Sequence, residues 1–421
     1  MTLPLPKLPA RHPRWTYLAA DLSTGTIIDE LPLGGVRFTR ALNDAGTLNG
    51  DFAYTARTAP LLRPASEPGR TALYAMRDGQ VQWGGIIWTR KVDHDRRVVS
   101  LGCADWWSYY EHRLIVSTLD FVETDQNEIA RAILAAMDAT APGGGNIGIV
   151  ASAGLSGRIL DRTFDWFNYT AAADTLRQLA EDEGGPDLRF DTVGTLATGI
   201  TRQLNIGTPH LGRTAAGTGI VVDYGGQGAI LENLVEEENG STIESVHYAL
   251  GPGSEEAKLV GVAQRTDLVL SYGWPLLEGA TSYNDDTLDS DEAINAKARA
   301  DLDARAGVRT LPTGSTRGIE VGTLDPGDEV LLEVTSDWYN DDPSADLRGT
   351  WSQTTRVTSL VVDIPDNGGV ETVTPTFGDL VVVSKTTHPT VEPEFRALAL
   401  GAGASNLGFG DGLFGEGLFG G

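Results

Sequence analysis

The sequence predicts a mainly β fold, with an α+β insert between two β-rich regions. Three observations carry this reading. Short runs of β-branched and aromatic residues, cut by Gly, Pro, Asn and Asp, fill two long stretches. Apolar residues at helical spacing are confined to a middle segment and to one later helix. An apolar fraction of 41% in 421 residues is enough to build cores, which excludes wholesale disorder. The length predicts about two to four domains.

Residues 1–15 read as an extended N-terminal arm, because Pro4, Pro6, Pro9 and Pro13 bias their neighbours toward polyproline or β geometry. The arm has no apolar core segment, so a secretory leader is not expected. Residues 16–114 form the first β region, an antiparallel meander of about six strands in a barrel or sandwich. Its clearest hairpin runs Ala72–Met76, turns at Arg77-Asp78-Gly79-Gln80 and returns through Val81-Gln82-Trp83, since Asp-Gly supplies the positive φ angles of a tight turn. Gly84-Gly85 predicts a bulge or bend before Ile86-Ile87-Trp88. A further turn at Asp93-His94-Asp95 leads into Val98–Leu101.

Residues 115–202 read as the α+β insert. Asp125 and Glu128 make a capping box before Ile129, Ile133, Ala136 and Met137, and Pro142 with Gly143–Gly145 stops that helix. A second helix from near Thr170 carries Ala172, Leu176, Leu179 and Ala180 on one face. Leu188 and Phe190 then begin a strand.

Residues 203–395 form the second β region, with strands expected at Gly219–Tyr224, Ile230–Val235, Ser245–Ala249, Gly318–Val321, Glu329–Val334, Thr354–Val362 and Val370–Phe377. It contains a helix over 290–306, opened by a capping box of Asp289 and Glu292, striped by Ile294, Ala298 and Leu302 and closed by Gly307. Residues 396–421 are a Gly-rich tail with a near-repeat of acid-Gly-Leu-Phe, Asp411–Phe414 and Glu416–Phe419. So glycine-rich a tract cannot fold alone. It reads either as a disordered tail or as a docking segment whose Leu-Phe pairs fill pockets on a partner.

Charge and cysteine count bound the chemistry. The net charge is −26, from 32 basic and 58 acidic residues, so specific nucleic-acid binding is not expected. Arginines number 27 and lysines 5, the signature of a GC-rich coding genome. Cys103 is the single cysteine, which excludes a disulfide framework or a Cys-built metal site and fits a protein made in a reducing cytoplasm. No apolar run approaches the ~18 residues of a membrane span.

No catalytic, cofactor-binding or metal-binding residue is assigned, and no cofactor is expected. The six histidines lack the i, i+4 pairing of a zinc helix. Gly154-Leu155-Ser156-Gly157 is not a nucleophile elbow, and the Gly225–Gly228 and Gly251–Ser254 loops lack the Lys of a phosphate loop. Two constellations invite a chemical reading and have a structural one. Asp105, Glu111 and His112 flank Trp106-Trp107-Ser108-Tyr109-Tyr110, and carboxylates beside aromatics can build a glycosidic cleft, but such a cluster at the end of a meander reads better as core. The acidic run Asn284–Glu292 lacks the spacing of a calcium loop, and acids at a helix start already complement the dipole. Trp338, Tyr339 and Trp351 are candidate sugar platforms.

Several of these segments taken in order resemble the minor tail proteins of long-tailed bacteriophages of actinobacteria, which are related in fold to baseplate hub proteins. They are Leu73–Ile87, Cys103–Trp107, Tyr110–Arg113, Thr175–Ala180 running to Leu188–Phe190, and Leu324–Val330. The resemblance covers about residues 15–395 and rests on order rather than on any single motif. It implies two antiparallel, barrel-like tube domains of the baseplate-hub type per chain, three chains making a pseudo-sixfold ring. It implies a homotrimeric hub at the virion tail tip that joins the tail tube to the tip, without enzymatic activity. The implied partners are the distal tail or tail tube protein, the tape-measure protein and other minor tail proteins, with DNA only in transit. Acidic residues would then either line the bore and repel passing DNA or form solvated outer surface. The alternatives are a tail-associated cell-wall or glycan hydrolase and a receptor- or glycan-binding tip protein.

Overall fold

A computed structural model describes residues 13–382, apart from 141–145, 183, 209, 227–229, 254–257, 272, 284–287, 289, 317–318, 341–347, 367–369 and 379. The N-terminal arm up to residue 12, Asp289, Pro142 with Gly143–Gly145, and the tail at 396–421 therefore lie outside the described residues. The chain divides into two compact units. One spans Met1–Gly240 with Arg309–Leu380, and the other is built on Ser241–Val308.

The first unit begins with β1 (Trp15–Asp21), β2 (Ile27–Leu31), β3 (Gly34–Ala41), β4 (Thr47–Ala53), α1 (Ala59–Ala65), β5 (Thr71–Arg77), β6 (Gln80–Asp93) and β7 (Val98–Asp105). The short helix α2 (Trp107–Glu111) leads to β8 (Leu119–Asp125), α3 (Gln126–Ala139), β9 (Ile149–Ala151), β10 (Ile159–Phe164), α4 (Ala172–Glu181), β11 (Leu188–Thr195) and β12 (Gly199–Ile206). Then come α5 (Ala215–Thr218), β13 (Val221–Tyr224) and β14 (Leu231–Asn239). The second unit holds β15 (Val246–Leu250), β16 (Val260–Gln264), α6 (Thr266–Leu270), β17 (Glu278–Ser282) and α7 (Asp291–Asp303). After it follow β18 (Val308–Thr316), β19 (Glu329–Ser336), β20 (Gly349–Ile364), β21 (Thr372–Phe377) and β22 (Leu380–Val382). The protein is mainly β, as the sequence predicts.

The first seven strands pair antiparallel in the spatial order β2-β1-β5-β6-β7-β4-β3, and β3 then pairs with β20. Seven strands thus stand where about six were expected, and β20 joins residues of the two β-rich regions: Ala41 faces Ser359 and Val36 faces Ile364. β20 continues to β19 on one side and β21 on the other. Among the described residues, three ladders are parallel rather than antiparallel, β12 with β9, β13 with β19 and β15 with β17.

The β5–β6 hairpin turns at Asp78 and Gly79, both at positive φ, as an Asp-Gly turn requires. Gly84-Gly85 does not itself bulge. The ladder slips on either side, between Trp83 and Val81 and between Ile87 and Thr89. The glycines serve close approach instead, because a Cβ on Gly84 would lie 2.3 Å from the Thr192 hydroxyl and one on Gly85 2.2 Å from the Ala104 carbonyl oxygen.

β5 is buried along nearly its whole length, because the sheet carries a core on each face. On one face Tyr17, Phe38, Leu73, Trp83 and Ile87 pack with Val330, Leu332, Val357, Leu360 and Phe377. On the other, Leu18, Tyr74, Met76 and Ile86 pack under α3 and α4. α3 is capped by Asp125, which accepts from the Asn127 amide at 2.9 Å, while Glu128 reaches forward to Arg131 instead of back to the cap. Ile129, Ile133 and Met137 are buried as predicted, with Ala130 and Leu134 beside them. Ile319–Val321 forms no strand; the chain turns there, with Thr323 donating to the Glu320 carbonyl, and Ile319 and Leu324 plug the first core.

In the second unit β15 lies between β16 and β17, and α7 covers this sheet with Ile294, Ala298 and Leu302. Ser290 caps α7 by accepting from the Ala293 amide. The predicted cap was Asp289, one residue earlier. The helix ends at Asp303, before the predicted stop at Gly307.

Candidate functional site

β7 ends at Asp105 and α2 follows at once, so the sequence-predicted carboxylates and aromatics fall on one strand-to-helix corner. Asp105 is buried. Its two oxygens accept the Gly46 amide at 2.7 Å and the Trp107 amide at 2.9 Å. Burial pushes its carboxyl up to about 8, against the pull of those two amides. Glu111 accepts from Arg177 at 2.7 Å, and Arg177 also holds Asp44 and Asp174 while lying over the Trp107 ring. His112 stacks on Trp88, centroids 4.4 Å apart, with Nδ1 at 2.8 Å from the Ser108 carbonyl oxygen. The three groups thus have three separate sets of partners. Trp106, Trp107 and Tyr110 are fully buried, and Phe190 packs at 5.4 Å from both Trp107 and Tyr110. The aromatic cluster is core.

The raised Asp105 carboxyl gives a pH prediction. Between the ordinary carboxylate range and about 8, the folded chain holds a proton at Asp105 that the unfolded chain has released. Stability contributed at this group therefore falls as pH rises through that window and levels off above it. Asp105→Asn should flatten this slope; urea denaturation at pH 5, 6.5 and 8 measures it, and an unchanged slope would remove Asp105 as its source.

Of the acidic run, 284–287 and 289 lie outside the described residues, and Asp291 and Glu292 sit in the first turn of α7. Among the described residues no group of three His, Cys, Asp or Glu side chains could hold a metal ion. No described helix is long and apolar enough to cross a membrane. Trp338 is 79% exposed. Tyr339 and Trp351 stack at 5.8 Å, and the Tyr339 hydroxyl donates to Glu236 at 3.0 Å. Cys103 is buried, which pushes its thiol up.

The sequence reading missed a partly buried arginine–carboxylate junction at the Asp325-Pro326-Gly327-Asp328 turn. Arg40 on β3 bonds Asp191 at 2.8 Å and Asp325 at 2.5 Å. Asp191 also accepts from Arg189 at 2.7 Å and Asn205 at 2.6 Å, and Arg189 donates to the Pro326 carbonyl. Arg213 pairs with Asp328 at 2.5 Å, and Arg356 on β20 pairs with Asp187 at 2.5 Å. The Arg40 and Arg189 cations hold the Asp191 carboxyl below its usual range despite burial. One turn is thereby tied to β3, β11, β20 and the loop before α5. The available signal was the excess of arginine over lysine, since the planar guanidinium suits buried, forked pairing.

A second feature is a recess of about 450 Å3 beneath α1. Phe52, Leu62 and Val99 form its apolar floor, and Arg63, Arg90 and His94 stand around it. Arg90 donates to the carbonyls of Arg63 and Ser66, closing the C-terminal end of α1.

No protein-family model matches the chain, and no curated protein matches it. Solved structures do. The fold is similar to that of the 43 kDa tail protein of prophage MuSo2 from Shewanella oneidensis, with TM-score 0.56 and 10% identity over 87% of this chain and 98% of that one. It is also similar to a tail protein from Neisseria meningitidis MC58, with TM-score 0.53 and 13% identity over 86% and 96% of the two chains. A prophage tail protein from Listeria monocytogenes EGD-e gives TM-score 0.52 and 10% identity over 86% and 94%. The chain shares the fold of these phage tail proteins.

Proposed function

We propose that this chain is a structural component of a bacteriophage tail, a homotrimeric hub at the tail tip that joins the tail tube to the tip and lets DNA pass. The observation that carries the reading is the fold, matched over 94–98% of the length of three tail proteins. It is supported by the way the chain spends its polar chemistry. The candidate carboxylates are engaged with backbone amides or arginine, and the buried arginines tie strands together. Such a part works by mutual burial and not by turnover. Its partners would be further copies of itself, the distal tail or tail tube protein, the tape-measure protein and other minor tail proteins.

A charge of −26 suits a wall past which DNA slides without adhering, because like charges repel. The test is the solution mass of the purified chain together with low-resolution images. The expected result is a particle of three chains enclosing an aperture. A monomer with no hole would overturn the hub, and degradation of host cell wall by the purified chain would favour a tail-associated hydrolase.

A further inference from the structure

We propose that the recess under α1 is the docking site of the chain's own C-terminal acid-Gly-Leu-Phe repeat, Asp411–Phe419. The recess is chemically unusual for this molecule. In a chain of net charge −26, its lining carries Arg63, Arg90 and His94 and no carboxylate. The arginines of the junction, Arg40, Arg189, Arg213 and Arg356, each hold an acid. Arg63 has no carboxylate partner among the described residues, and Arg90 spends its bonds on carbonyls and on Ser66. The floor is apolar, and the volume of about 450 Å3 falls within the ~300–1,000 Å3 of ligand recesses. The site asks for a bulky apolar group with an anion close by.

The tail offers that combination twice. Asp411-Gly412-Leu413-Phe414 and Glu416-Gly417-Leu418-Phe419 each place a carboxylate two residues before a Leu-Phe pair. The apolar pair suits the floor and the acid suits the cationic rim, while the glycines let the backbone lie close to a wall. The connecting chain is long. Between Val382 and Gly408 lie 25 residues (383 to 407), which extend to about 85 Å at ~3.4 Å each. A tethered segment also faces its site at an effective concentration near the millimolar range, so the chain's own repeat outcompetes a free peptide of the same sequence at micromolar concentration.

The test compares the wild-type full chain with a full-length variant in which Leu413, Phe414, Leu418 and Phe419 are all serine, using a fluorescent synthetic peptide of residues 408–421 as probe. The variant is expected to bind the peptide, and the wild type to bind it about tenfold or more weakly because its site is filled. Adding Arg63→Glu to the variant should weaken binding by about tenfold through charge reversal. Val92 also lines the recess, and because Arg63 and Val92 are both exposed, folding is expected to survive Arg63→Glu and, as an apolar-side control, Val92→Asp. A peptide with Asp411 and Glu416 changed to lysine should recover binding to the Arg63→Glu protein. No binding to the serine variant, or binding indifferent to both Arg63→Glu and Val92→Asp, would overturn the site. Equal binding to wild type and variant would overturn the chain's own tail as occupant.

Discussion

Asp191→Ala is expected to lower stability by about 3–5 kcal/mol, the cost of leaving a buried charge without its partner. The carboxylate is 7% exposed and is shared by Arg40, Arg189 and Asn205. Removing it takes one carboxylate partner from each of two largely buried guanidinium groups, Arg40 and Arg189. Arg40 keeps Asp325, so the turn at Pro326-Gly327 should loosen before it detaches. Urea denaturation of wild type and variant at neutral pH measures the loss; a difference under about 1 kcal/mol would place the pair in the class of exposed bridges. The wild type carries a matching acid signature. Its Asp191 carboxyl lies below the usual range when folded, so this group contributes stability above the unfolded carboxylate range and loses it as pH falls through the lower, folded value. The alanine variant should lose less stability between pH 5 and pH 3 than the wild type does.

Trp106→Ala should cost a similar amount, about 3–5 kcal/mol, for a different reason. The side chain is fully buried, so its loss removes transfer energy and leaves a cavity. It also removes a bond to the Thr192 hydroxyl at 2.8 Å and the ring beneath the Arg202 guanidinium, 4.6 Å away. Arg202 is 6% exposed and is held by the Leu22 and Ile147 carbonyls and by the Tyr74 hydroxyl. Trp106→Phe keeps an aromatic ring there and should cost roughly 1–2 kcal/mol less than alanine, since a bulky apolar replacement leaves a smaller void. Thermal unfolding of the pair separates the two effects. Equal losses for alanine and phenylalanine would mean that the indole bond dominates, not the volume.

Much of the fold was legible because the first β region carries strong local signals. Asp78-Gly79 determines one hairpin, and the stripe Ile129, Ile133 and Met137 determines α3 with its Asp125 cap. What escaped reading was short or long-range. β16 and α6 have five residues each, too few to show a period. β18 contains Pro312 and Gly314, residue types that disfavour a strand interior, yet Pro312 faces Glu236 in the β14 ladder. The β13–β19 and β3–β20 pairings join residues far apart in the chain, and no local pattern announces them. The same holds for the functional chemistry. The Trp106-Trp107 cluster was legible as core from its position at the end of a meander. The junction at Asp325 was not, because Arg40, Asp191, Arg213 and Arg356 come from four distant segments. The recess under α1 has a comparable reason: Phe52, Arg63, Arg90 and Val99 meet only after the strands have paired.

The β3–β20 ladder has a consequence for biosynthesis. Ala41 waits for Ser359, and a ribosome adding ~5–20 residues per second needs roughly 15–60 s to cover that gap. During translation the outer edge of β3 stands open beside an apolar surface that later packs on Val357, Leu360 and Val362. An open strand edge is a template for misplaced pairing. Nascent chains stalled before Gly349 should therefore bind chaperones or aggregate, whereas chains released after Phe377 should not. Ribosome-profiled chaperone association would reveal the handover between those two points, and the fold of the N-terminal strands would be completed only once β20 has been made.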